Sequence, residues 1–204
     1  MTDCTTLLEL LRDRRSVRQF TEAPVTREQI DQIVTAAGWA PSNHNRQGWK
    51  FVVFTDPSEI ASLADRCRDA VGKATETAGR LIARQKAELV HFAGSFADAP
   101  VVILAMHKAS PAIGKPLLET AVGDWASGEL LSTAMAVANL LLAAQAVGLG
   151  ACVMTAPLLS GDVWRSVSDL PAGFAPTCLV AVGHPGRVTE PPRKKSLEHI
   201  IEYR

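Results

Sequence analysis

Residues 40–54, APSNHNRQGWKFVVF, divide into a polar loop and an almost continuously apolar hexamer, WKFVVF. The hexamer reads as a short buried strand, which Asp56-Pro57-Ser58 ends while starting the next helix. Upstream of the loop, Thr26-x-x-Gln29 forms a capping box before Ile30, Ile33, Val34 and Ala37 at helical spacing, and Gly38 and Pro41 close that helix. Comparable apolar runs recur in PVVILAM (100–106), LGACVMT (149–155) and APTCLVAVG (175–183). Helical stretches separate them: one from about Thr5 to Asp13, most of 58–94, a long one over 130–147 and a short one near 160–169. Short strands that are apolar throughout imply a sheet covered on both faces, for which a doubly wound parallel sheet is the default. Its fingerprint is missing, however. No G-x-G-x-x-G joins a strand to a helix, no G-x-x-x-x-G-K-[ST] is present, and Gly148-Leu149-Gly150 precedes a strand and reads as a helix C-cap.

The chain's 204 residues fit a single domain, 1–204, with room for a full hydrophobic core. Lys+Arg and Asp+Glu both number 21, so no global field draws the protein to nucleic acid or to an anionic membrane. Cys4, Cys67, Cys152 and Cys178 are widely spaced without a C-x-x-C pair, which reads as reduced thiols in a cytoplasmic protein. The opening MTDCTTLLELLRD lacks the basic-then-apolar layout of a signal peptide. Residues 130–147, LLSTAMAVANLLLAAQAV, are long enough to span a bilayer. Ser132, Thr133, Asn139 and Gln145 interrupt them and no interfacial lysine or arginine precedes them, so a core helix, apolar all round, is expected. The five histidines offer no i, i+4 pair with a carboxylate partner, and no G-x-S-x-G appears. Side chains alone thus look poorly equipped for difficult chemistry, and a bound cofactor is the usual remedy.

Residues 12–18 read RDRRSVR, four arginines in seven positions. Cations suit a helix C-terminus, and a solvated helix end explains them without function. Arginine is also the side chain whose fork of donors matches a phosphate. On a continued helix Arg14 and Arg18 would share a face, with the Ser16 hydroxyl between them. A second basic cluster, Arg193-Lys194-Lys195, lies at the other end of the chain and could converge on the same phosphate.

In this order the elements resemble the FMN-dependent nitroreductase family over nearly the whole chain. Arg14-Arg15-Ser16-Val17-Arg18-Gln19-Phe20 matches the family's opening element. Ala40-Pro41-Ser42, Asn45, Gln47, Trp49 and Phe51 match its A-P-S-x-x-N-x-Q-P-W-x-F, Ala144–Gly150 its glycine-ended helix, and Lys195-Ser196-Leu197-Glu198 its basic tail. The resemblance implies an α+β fold with a mostly antiparallel central sheet flanked by helices. It also implies a homodimer that exchanges C-terminal arms and holds two FMN at its interface, which would give Leu197, Ile200 and Ile201 somewhere to dock. Residue by residue, it places Arg14 and Ser16 at the FMN phosphate and ribityl end, with Arg15 acting through its backbone and Arg18 at the pyrimidine edge. Trp39 and Pro41, Ser42 and Asn43 would reach the other subunit's flavin. Val153, Met154 and Thr155 would run past its opposite side, and Arg193 and Lys195 would close on the phosphate. Trp125 stands where the family covers the flavin face, either gating substrate or packing a helix start. Met154 reads equally as core, Trp49 and Phe51 as core, Asn45 and Gln47 as ties within their own loop, Arg12 as solvated and His44 as idle.

One departure is Gly48, where the family has proline. It lifts the restraint proline places on its own φ and on the preceding residue, so a looser loop is expected. The activity implied is ping-pong transfer from NADH or NADPH through FMN to small-molecule acceptors such as nitroaromatics or quinones, with no side chain needed as an acid or base. Two other readings stay open. One is a pathway-specific flavin oxidase or dehydrogenase acting on a metabolite, the other a non-catalytic flavin-binding protein.

Overall fold

The four apolar runs pair into one sheet. The computed structural model describes residues 4–76, 85–108, 128–167 and 169–204. In it β1 (Trp49–Phe54), β2 (Val101–Lys108), β4 (Phe174–Gly183) and β3 (Gly150–Met154) lie side by side in that order. Each neighbouring pair is antiparallel, with Phe51 opposite Ala105, Leu104 opposite Leu179 and Cys152 opposite Ala181. The parallel default is thereby overturned, and the mostly antiparallel sheet holds. Two-sided burial is what makes the strands apolar throughout, and it says nothing about their direction.

Alternation along the strands feeds two cores. Val102, Leu104, Met106 and Leu179 pack on one face with Ile60, Leu63, Cys67, Phe96 and Trp164. These come from α3 (Pro57–Glu76), the turn after α4 (Lys86–Ala93) and α6 (Gly161–Arg165). Val101, Ile103, Ala105 and Val180 pack on the other face with Ile30 and Ile33 of α2 (Arg27–Gly38) and Ala136 and Leu140 of α5 (Gly128–Ala146). The remaining helix, α1 (Cys4–Asp13), leads into the arginine stretch.

Local signals act where the residues place them. The Thr26 hydroxyl accepts from the Gln29 N–H at 3.2 Å while the Gln29 side chain accepts from the Thr26 N–H at 3.0 Å. Asp56 Oδ1 accepts from the N–H groups of Ser58 (2.7 Å) and Glu59 (3.2 Å), capping α3. Helix α5 ends in a Schellman motif: Gly148 takes φ +76°, its N–H reaches Gln145 O, and the Leu149 N–H reaches Ala144 O at 2.8 Å. This motif confirms the C-cap reading of Gly148.

Helix α5 departs from expectation. It is long and apolar enough to cross a membrane by length and composition, yet only a third (33 %) of its most apolar window is buried. Ala136, Val137, Leu140 and Ala144 face the sheet and α2, whereas Leu131 and Met135 are exposed. A helix buried all round is not what forms; one apolar face is left outward.

Candidate cofactor site

Helix α1 stops at Asp13, so the expected shared helical face of Arg14 and Arg18 does not form. The chain instead runs extended beside β3. Ser16 makes a parallel bridge to Ala151, and the Val17 N–H donates to Ala151 O at 3.1 Å. Period-2 alternation replaces the helical period over residues 16–18. Val17, 4 % exposed, points into the core, and Ser16 and Arg18 on either side of it are exposed. Gly150 makes this approach possible, since a Cβ there would lie 2.7 Å from Val17 Cβ.

Both guanidiniums lie within electrostatic reach of one thiol. Burial pushes the Cys152 thiol of β3 up, and the positive charges of Arg18 and Arg14 partly oppose that rise. Among the described residues neither arginine has an ion-pair partner. Their neighbours differ. Arg12 forms an exposed pair with Asp13 at 3.3 Å, and Arg15 folds back to donate to the carbonyls of Arg12 (2.6 Å) and Arg14 (2.9 Å). Phe20 then bridges Pro185, and the Gly186 N–H donates to Gln19 O at 2.9 Å, so the C-terminal tail departs beside Arg18.

The loop between α2 and β1 is built on the first turn of α5. The Asn43 N–H donates to Ser132 Oγ at 3.1 Å, and the Ser132 hydroxyl donates to Gly128 O at 2.6 Å. The Asn43 side chain fills the space a Cβ on Gly128 would take, 2.8 Å from Nδ2. Arg46 Nη1 pairs with Glu129 Oε1 at 3.3 Å. Within the loop, the Gln47 N–H donates to Ser42 Oγ at 3.0 Å and Gln47 Nε2 to Asn45 Oδ1 at 3.4 Å, as expected of residues that tie down their own loop. His44, Asn45 and Gln47 all take left-handed backbone (φ 50°, 52° and 48°), uncommon for non-glycine residues. Gly48, where a looser loop was expected, is packed at the start of β1. It is buried, and its carbonyl accepts from the Lys108 N–H at 2.7 Å.

The other expected residues divide. Trp39 is 83 % exposed, and Pro41 and Asn43 are exposed beside it, forming an outward edge. Val153 is exposed, Thr155 is exposed at the end of β3, and Met154 is core, its sulfur accepting from the Ser95 hydroxyl at 3.2 Å. Arg193 and Lys195 are exposed, and among the described residues no hydrogen bond or ion pair joins them to Arg14, Ser16 or Arg18. The structure therefore brings the first basic cluster to β3 and leaves the second on the tail. Trp125 lies outside the described residues. A cavity of about 380 Å³ opens elsewhere, lined by Met106, Leu158, Trp164, Leu170, Phe174 and Pro176, none of them a predicted site residue. Gly128, Glu129 and Ser132 were missed as supports of the site. Their signal was a polar stripe at i, i+1 and i+4 at the start of an otherwise apolar helix.

Curated relatives include iodotyrosine deiodinase 1 of Rattus norvegicus, 30 % identical over 202 residues, covering 95 % of this chain and 67 % of the relative. NADH dehydrogenase of Thermus thermophilus is 28 % identical over 203 residues, covering 94 % and 92 %. Among solved structures, a BluB-like flavoprotein from Clostridium difficile superposes with a TM-score of 0.80 at 24 % identity, covering 97 % and 98 % of the two chains. A nitroreductase with bound FMN from Bacteroides fragilis gives 0.72 at 18 % identity, covering 97 % of each. The nitroreductase family profile matches residues 11–184, from the end of α1 to the residue after β4, and the chain belongs to that family.

Proposed function

We propose that this chain is an FMN-dependent oxidoreductase that takes hydride from NADH or NADPH and reduces nitroaromatic, quinone or related small acceptors by a ping-pong mechanism. The observation that carries the reading is the pair Arg14 and Arg18. These two guanidiniums lack carboxylate partners among the described residues and both act electrostatically on buried Cys152, beside an extended chain. That donor set, with the Ser16 hydroxyl between, fits a terminal phosphate and a flavin edge.

When bound, FMN supplies hydride acceptance and release, so the chain's own residues bind and orient. Arg14 and Ser16 hold the phosphate end, with Arg193 and Lys195 closing over it from the tail. Arg18 sets positive charge at the pyrimidine edge, which favours an anionic reduced ring. Thr155 offers a hydroxyl at the opposite side, next to Val153 and Met154. Trp39, Pro41, Ser42 and Asn43 serve the neighbouring subunit's flavin, and Trp125 covers the substrate side.

The active unit in this reading is a cytoplasmic homodimer of single-domain chains, with each C-terminal arm laid on the partner. Its support is apolar surface that one chain leaves outward. On α1, Leu7, Leu8 and Leu11 are exposed; on α5, Leu131 and Met135; on the tail, Leu197, Ile200, Ile201 and Tyr203. Apolar side chains exposed on three elements fit an interaction surface. The iodotyrosine deiodinase relative keeps a second reading in view, a dedicated enzyme for one metabolite.

Anaerobic addition of NADH or NADPH to the FMN-loaded protein tests the reading. Bleaching of the flavin band, with recovery on adding a nitroaromatic or quinone, is the expected result. Bleaching by another metabolite alone would move the assignment to a pathway enzyme. No bleaching with any donor would reduce the protein to a flavin-binding module.

A further inference from the structure

The first turn of α5 holds more than a backbone tie. Gly48 is buried, and its φ lies outside the left-handed region, so no backbone conformation demands glycine there. Space does. A Cβ on Gly48 would sit 3.3 Å from Glu129 Cγ and 3.5 Å from Lys108 Cβ, the first tighter than ordinary contact. The missing side chain lets the Glu129 stem run beneath the loop, where its side chain is only 13 % exposed. From there the carboxylate reaches up to Arg46 Nη1 at 3.3 Å. It also lies within electrostatic reach of His107 on β2, favouring the charged imidazole against the opposing and larger effect of burial. His107 is fixed from behind, its Nδ1 2.8 Å from the hydroxyl of Thr177, which sits at the β2–β4 register shift. Arg46 follows the 43–45 turn, and its own N–H closes that turn on Asn43 O at 3.0 Å.

We propose that Glu129 is a positioning residue for the cofactor loop: seated in the space Gly48 leaves, it latches Arg46 and thereby fixes the 42–47 turn that presents Ser42 and Asn43. The proposal rests on the reading that this loop serves a flavin. Three successive elements therefore share one polar column, from Thr177 and His107 in the sheet, through Glu129 at the helix start, to Arg46 in the loop. A loop with three non-glycine residues in left-handed backbone needs such an external hold, because each of those residues favours other conformations.

The test is a double-substitution cycle on the full-length protein, with Glu129→Gln, Arg46→Gln and both together, read in two ways. Amide hydrogen exchange over residues 42–48 reads the latch without reference to flavin. Each single substitution should speed exchange there by about threefold to tenfold, and the double should be no faster than the faster single, because either change already breaks the pair. FMN affinity and the visible circular dichroism of bound flavin read the consequence, with the dissociation constant rising by the same about threefold to tenfold in all three variants. Effects that multiply in the double variant, or exchange unchanged in Glu129→Gln, would overturn the latch. If exchange responds as expected but no variant, nor the unsubstituted protein, binds FMN, the flavin reading fails while the latch stands. Gly48→Ala supplies the converse check: it should speed loop exchange in the unsubstituted background and have no further effect beside Glu129→Ala, which removes the Cγ it would meet.

Discussion

Substituting Gly150 by alanine is the sharpest perturbation of the proposed site that leaves every polar group in place. A Cβ at 150 would lie 2.7 Å from Val17 Cβ and 2.8 Å from both of its γ-carbons. Turning the valine side chain cannot relieve the conflict, because the nearest atom is Cβ, which rides on the backbone. That backbone is itself held, with the Val17 N–H on Ala151 O at 3.1 Å. To reach the 3.4 Å limit of ordinary contact, the two chains must part by 0.7 Å (3.4 − 2.7). Overpacking of this kind costs about 1–3 kcal/mol. The parting also carries Ser16 and Arg18 away from β3, so FMN affinity should fall about tenfold along with stability. Val17→Gly removes three carbons and should cost about 2–3 kcal/mol by itself. In the double variant the new methyl occupies the space the valine left, so its cost should undercut the sum of the singles by about 1 kcal/mol or more. Denaturant unfolding at one fixed protein concentration measures the stability cycle, and flavin fluorescence quenching measures affinity. Additive costs, or a Gly150→Ala protein as stable and as yellow as its parent, would refute the claim that this glycine exists to admit Val17.

Three other outcomes follow from single residues. Arg14→Ala should weaken FMN about tenfold to a hundredfold while Arg12→Ala changes little, measured by cofactor retention on dilution; the reverse order would shift the register of the whole stretch. Asp56→Ala should lower the thermal midpoint at neutral pH. The Ser58 hydroxyl and the Glu59 and Ser58 N–H groups hold the Asp56 carboxyl below its ordinary range, so its stabilisation is present above the unfolded value and fades as pH falls through the folded one. The variant and its parent should therefore converge in acid melts. Cys178, its thiol pushed up to about 11 by burial, should resist thiol reagents at pH 8 in the native protein and label on unfolding, read by mass spectrometry of its peptide.

Legibility in the sequence tracked how local the governing physics is. The capping box at Thr26, the Asp56 cap and the Gly148 C-cap depend on a few consecutive residues, and all form where the residues place them. The four strands likewise follow from their apolar runs. Strand direction did not follow, because an apolar run registers that both faces are covered and carries no mark of its neighbour's polarity. The Arg14–Arg18 helical face failed for a related reason. Spacing of four suits a helix, but spacing of two suits a strand and divides four, so the same residues share a side in either state. Only Ser16 pairing with Ala151 decides between them, and that contact spans 135 positions (151 − 16).

Helix α5 shows how one composition can invite two readings and be settled by what surrounds it. Its apolar residues satisfied the length and hydropathy of a membrane span, and its polar residues looked like interruptions. In the fold they do different jobs on different sides. Ala136, Leu140 and Ala144 cover the sheet, Gly128, Glu129 and Ser132 carry the loop between α2 and β1, and Leu131 and Met135 face outward. A helix with one apolar face would have satisfied a single chain. The second face meets water unless something covers it, and in the proposed dimer that cover is the partner whose flavin the loop on this helix's first turn would touch. In that dimer the excess hydrophobicity and the polar first turn would have one cause: the helix would be packed from both sides, with its N-terminal end where the two sides meet the proposed site.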